Sequence, residues 1–200
     1  MTASRAGYAS LIAALLALTG CPSAMSTVGS SDSSSERVEP DADMWPLRFK
    51  AHMFGAHCFG TQACRIVYRG MEHGSDDASP SIESYGRPLD KLLSAGRGPI
   101  PNFPAPAQVR WKSKDGSALE ADVDIGEIFK DRVIRHRLGR EEIPEATLRS
   151  DHVADIIIEV NDRTINVYTR ALISTREQQK PGNRHSNFRN DLFKVFTRTY

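Results

Sequence analysis

The chain has no apolar run long enough to cross a membrane. Its longest, Leu11 to Leu18, holds eight residues, against the roughly 20 a helix needs to span about 30 Å of hydrocarbon. Excess charge is also missing: the formal net charge is +1 over 200 residues. No basic stretch is interleaved with stacking aromatics, so the footprint of a nucleic-acid module is absent and no nucleic-acid partner is expected. There is no Gly-x-Ser-x-Gly elbow, His-Glu-x-x-His pair, P-loop or glycine-rich dinucleotide fingerprint, so the motif-bearing enzyme classes and their cofactors are not indicated. The chain is read as a non-enzyme that needs no cofactor. His52, His57, His73, His136, His152 and His185 are scattered and are read as satisfied or solvated. A convergent buried cluster of His, Ser and Asp would reverse that reading. Asp76-Asp77 and Glu141-Glu142 are adjacent, so their side chains diverge on any regular element.

Cysteine is scarce, with three in the chain, and the first is placed distinctively. The opening twenty residues carry one charge, Arg5, then the run Leu11–Leu18, which reads as the apolar region of an export signal spanning 1–20. It ends in Leu18-Thr19-Gly20-Cys21, which resembles the lipobox of bacterial lipoproteins: small residues admit a peptidase and the Cys21 thiol takes a diacylglycerol thioether. The alternative is an ordinary cleaved signal followed by an incidental cysteine. Each buried CH₂ contributes about 0.8 kcal/mol, so several acyl chains anchor durably where one does not. By the sorting rule of such lipoproteins, Pro22 in place of aspartate implies the periplasmic face of the outer membrane.

Residues 21–43 are Ser-rich, including Ser33-Ser34-Ser35, and poor in apolar content; they read as a lipidated flexible tether. The remainder, 44–200, suffices for one domain with its own core. In an exported protein Cys58 and Cys64, six positions apart, form a disulfide by default. A zinc site built on His57, Cys58 and Cys64 is the alternative, but a fourth ligand is not evident and no metal is expected.

Hydrophobic period then supplies the elements. In Leu47–Met53 the alternation predicts a strand with Leu47, Phe49, Ala51 and Met53 inward. Arg65–Arg69 resumes as a second strand, the disulfide sitting at the hairpin end between them. Residues 70–106, rich in Gly, Pro, Ser and acids, read as a long connection with one helical turn at Leu89–Leu93; such a connection is either partner-facing or mere decoration. Val109–Ser113 and Leu119–Ile125 form a hairpin about Asp115-Gly116 in a type I′ turn. Glu120, Asp122 and Asp124 are a solvated face opposite Arg110 and Lys112, with a metal or acid/base cluster as the alternative.

Glu127–Asp131 reads as one helical turn; 132–138 is open between strand and helix, and the charged run reaching Glu145 is assigned to the surface. A second hairpin joins Asp155–Val160 to Thr164–Ile173 through Asn161-Asp162-Arg163. The tail 192–200 reads as a strand, although Phe188, Leu192 and Phe196 at spacings of four also suit a helix. The fold class is therefore mainly β: an antiparallel sandwich or curled sheet with one or two short helices and long loops.

Four stretches carry a further resemblance: Ile100–Pro104, Val109–Gly116, Asp124–Asp131 and Asp162–Tyr168. Together they resemble periplasmic lipoprotein immunity proteins of Gram-negative bacteria, paired with type VI secretion lipase (phospholipase) effectors. The resemblance implies a membrane-tethered inhibitor whose partner is the cognate lipase toxin. Contacts are expected from loops 70–106 and 174–187, with Asp76, Asp77, Tyr85, Arg184 and Phe188 as candidate partner-binding residues. The rival reading is a structural lipoprotein of an envelope or secretion assembly.

Overall fold

The structure, a computed structural model, describes residues 44–149 and 151–200. Segments 1–20 and 21–43, and the lipidation site Cys21, lie outside the described residues. Among the described residues the strands are β1 (Phe49–Phe59), β2 (Thr61–Tyr68), β3 (Met71–Ser75), β4 (Arg97–Pro101), β5 (Ala107–Ser113) and β6 (Ala118–Val123), then β7 (His152–Asn161), β8 (Thr164–Arg170), β9 (Ile173–Ser174), β10 (Phe188–Arg189) and β11 (Phe193–Thr199). Two four-residue helices accompany them, α1 (Leu89–Leu92) and α2 (Ile125–Ile128). The fold is mainly β. No described helix is long and apolar enough to cross a membrane.

A five-stranded sheet runs β11-β8-β7-β1-β4 and a four-stranded sheet β3-β2-β5-β6, with β9 and β10 pairing separately. The main core collects Phe54, Ile156, Ile158 and Val167 from the first sheet and Ile66, Tyr68, Val109 and Trp111 from the second, so it lies between the two. One pair departs from the antiparallel expectation: β1 and β7 are parallel, joined by a crossover that contains the whole four-stranded sheet. Both faces of β7 are covered, which is why Ile156-Ile157-Ile158 is apolar without alternation.

The alternation expected for β1 holds only at its start. Leu47 and Phe49 are buried, but a register shift lies between Phe49 and Ala51 against β7, and beyond it His52 and Phe54 face the core while Ala51 and Met53 do not. A bulge adds one residue and reverses every side chain that follows. The expected hairpin between β1 and β2 is a corner instead. At Gly60, φ +58, the chain leaves one sheet for the other, so the Cys58–Cys64 disulfide links two sheets.

Within 70–106 the expected turn forms as α1, but two strands, β3 and β4, went unseen. Both are sheet edges, where partial burial and Gly or Pro are tolerated and the apolar alternation is weak. The β5–β6 turn is a three-residue loop closed by Ser113 N–H to Ser117 O at 3.0 Å, with only Gly116 at positive φ, +87, and so is not type I′. Residues 132–138 are neither strand nor helix beyond one bridge, Arg48 to Val133. The run that follows is not wholly surface: Ile134, Leu138, Ile143 and Leu148 enter the core while the charges between them stay out. The tail is strand β11, as its composition predicts.

Candidate partner-binding surface

One enclosed polar chain runs through the sandwich. Asn102 donates Nδ2–H to Phe49 O at 2.9 Å, its Oδ1 lies 2.8 Å from His52 Nδ1, and His52 Nε2 lies 3.1 Å from Tyr68 Oη. An amide oxygen only accepts, so His52 carries its proton on Nδ1 and accepts a hydrogen bond from the Tyr68 hydroxyl at Nε2. Burial lowers the His52 pKa against the pull of Asn102, and burial with nearby Asp124 raises Tyr68. Both side chains are fully buried, so no substrate reaches them. They act as a polar rivet between β1 and β2.

The outer face of the five-stranded sheet is strapped by residues 82–95. Leu89, Leu92 and Leu93 pack on Phe59, Ile157 and Tyr168, and Arg170 donates to Leu93 O and Asp90 O. The strap approaches so closely that a Cβ on Gly55 would lie 1.9 Å from Ser94 O. Beneath it Asp155 meets Arg170 at 3.2 Å, burial raising the carboxyl against that pairing. Buried Glu159 accepts from Asn166 Nδ2 at 3.1 Å. Tyr168 is raised by burial and by Glu159. His57 Nε2 accepts from Ser94 N–H at 3.0 Å. No group of three or more His, Cys, Asp or Glu among the described residues could hold a metal.

The four-stranded sheet turns an open, charged face to solvent. Arg65, Arg110 and Lys112 project from β2 and β5, and Glu72, Glu120 and Asp122 from β3 and β6. Arg110 reaches Glu120 at 3.7 Å, the cross-strand pair the alternation predicts, and Arg65 pairs with Glu72. A shallow cleft of about 540 Å³ lies along this face, lined by Arg65, Asp76, Arg110, Lys112, Leu119 and Glu120 among others. Asp124 leaves the acidic row to cap α2, accepting Glu127 N–H at 2.9 Å.

The candidate residues fall into separate places. Asp76 lines that cleft, and exposed Asp77 donates its backbone N–H to Ser75 Oγ at 3.0 Å. Tyr85, 44% exposed, lays its ring edge-on to Phe59 at 5.7 Å. Phe188, also 44% exposed, opposes Ser174 in the β9–β10 ribbon, and exposed Arg184 stands in the same loop beside His185. Phe59 partners Asn161, whereas β9 continues from Arg170, which partners Asp155. Tyr85 and Phe188 thus belong to opposite ends of the five-stranded sheet. The row Arg65, Arg110 and Lys112 was not singled out as a binding surface, although two basic residues at alternate positions of β5 were visible. No protein-family model, curated protein or solved structure matches the chain.

Proposed function

We propose that the chain is a periplasmic, lipid-anchored immunity protein that binds and neutralises a type VI secretion lipase (phospholipase) effector. The observation that supports it is how the four resembling stretches meet. Trp111 donates Nε1–H to Asp162 O at 2.7 Å, Lys114 N–H donates to Asp162 Oδ1 at 2.8 Å, and Arg163 reaches Asp115 at 3.1 Å. At the other end Phe49 stands edge-on to both Phe103 and Phe129. The stretches thus meet in two pairs, one at the β5–β8 end and one around Phe49. The disulfide fits an oxidising compartment. Tethering holds the inhibitor at the surface its target attacks, raising its effective concentration without a new contact.

The test is co-expression with a periplasm-targeted candidate phospholipase effector. Survival that requires export of this chain is expected. Unrelieved killing, or co-purification with envelope-assembly subunits and no lipase, contradicts the proposal.

A further inference from the structure

The two large sheets expose four edges, β4, β11, β3 and β6, and an exposed edge is a template for another strand unless it is guarded. Three are guarded. β4 contains Pro99 and Pro101, which donate nothing, and Gly98 at φ +142. β11 carries a register shift between Lys194 and Phe196. β3 is five residues long and is bent by Gly74 at φ +108. β6, Ala118-Leu119-Glu120-Ala121-Asp122-Val123, has no Pro, Gly or register shift and pairs only with β5 among the described residues.

The ladder tells which backbone groups are free. Ser113 N–H bonds Ser117 O, and hydrogen-bonded pairs recur every second residue in an antiparallel ladder. Leu119, Ala121 and Val123 therefore spend their groups on β5, leaving the N–H and C=O of Ala118, Glu120 and Asp122 aimed outward. The side chains of Glu120 and Asp122 are on the charged outer face, while Leu119 and Ala121 are only half-buried on the inner one.

A second copy of this chain is a poor occupant. Bonds form only if the even-numbered residues of both copies oppose each other. The two such registers that pair five of the six residues set Glu120 against Glu120, or Glu120 against Asp122 twice, and like charges directly opposed destabilise a ladder. The same acids favour a foreign strand with Lys or Arg at those positions and apolar residues between them. Asp122 has no cationic partner among the described ion pairs, and Glu120 shares Arg110 only at 3.7 Å.

We propose that the β6 edge is a strand-addition site that takes an extended, alternately basic and apolar segment of a protein partner as a fifth strand of the four-stranded sheet. The proposal rests on the immunity reading only for the partner's identity, the segment then belonging to the lipase toxin. The test titrates the whole 200-residue chain with a Val-Lys-Val-Lys-Val-Lys peptide, and with its Glu counterpart, at up to millimolar concentration, following amide exchange. The Lys peptide is expected to slow exchange of the Glu120 and Asp122 N–H groups at least tenfold, and the Glu peptide to leave them unchanged. In the double variant Glu120→Lys, Asp122→Lys the preference should invert; in Glu120→Pro, which removes one outward donor at an exposed site, binding should fall at least tenfold while the thermal midpoint holds. Protection elsewhere, no protection at all, indifference to charge reversal, or self-association through β6 overturns it. Peptide binding with no rescue of poisoned cells would sink the immunity reading alone, and rescue with no protection at β6 would sink this site alone.

Discussion

At the scale of single residues, burial favours the neutral form of several histidines. Burial is the first cause lowering His52, His73, His136 and His152 below the usual 6.5. A base whose folded pKa is depressed stabilises the fold above its unfolded pKa, and that stability is lost as pH falls below about 6.5 and the unfolded chain takes up the proton. Asp115, held low by Ser113 and Ser117, adds its loss only below its unfolded value of 3.8. The urea midpoint should therefore fall between about pH 6.5 and 5; a level midpoint across that range would count against the buried neutral histidines. Tyr68→Phe, which strands His52 Nε2 in the core, should cost about 1–3 kcal/mol in a denaturant titration, and a change under about 0.5 kcal/mol would show the rivet to be dispensable. His52 was not legible as a core residue. Strict alternation sends it outward, and only the bulge after Phe49 turns it in, a tertiary event with no local signal. His73 Nε2 is buried with no hydrogen-bond partner among the described residues.

At the scale of elements, legibility follows burial. Hairpins β5–β6 and β7–β8 could be read because their strands carry full apolar alternation or continuous β-branched runs. Edge strands β3 and β4 could not, since they bury few side chains and tolerate Gly and Pro. The parallel β1–β7 pair was out of reach because its partners are just over a hundred residues apart in sequence. The disulfide pair was legible, and its meaning changed once the two sheets were known. Replacing both cysteines by serine should lower stability by about 2 kcal/mol on the chain-entropy account, and the loss should appear as one cooperative shift in calorimetry. An unshifted midpoint would mean that the corner at Gly60 holds by itself. Gly55→Ala forces a methyl into Ser94 O. Faster amide exchange confined to 82–95 is expected, with the two-sheet core unchanged, and equal exchange in both proteins would place the strap elsewhere.

At the scale of the whole molecule the proposed role combines an anchor, a tether and a rigid two-sheet head. The proposed anchor rests on four residues ending in Cys21, outside the described residues, and the candidate surface residues fall in separate places. Asp76 does line a cleft, but Tyr85 and Phe188 sit at opposite ends of a sheet whose strand order the sequence does not reveal. Cys21→Ser should move the protein from the membrane to the soluble fraction with an unaltered thermal midpoint, and retention at the membrane would contradict lipidation there. The central claim is neutralisation by binding. Its most direct measurement titrates this chain into a candidate type VI phospholipase effector while following hydrolysis of phospholipid vesicles. The account predicts that hydrolysis falls to background at one inhibitor per enzyme, and full activity at a large molar excess would contradict it.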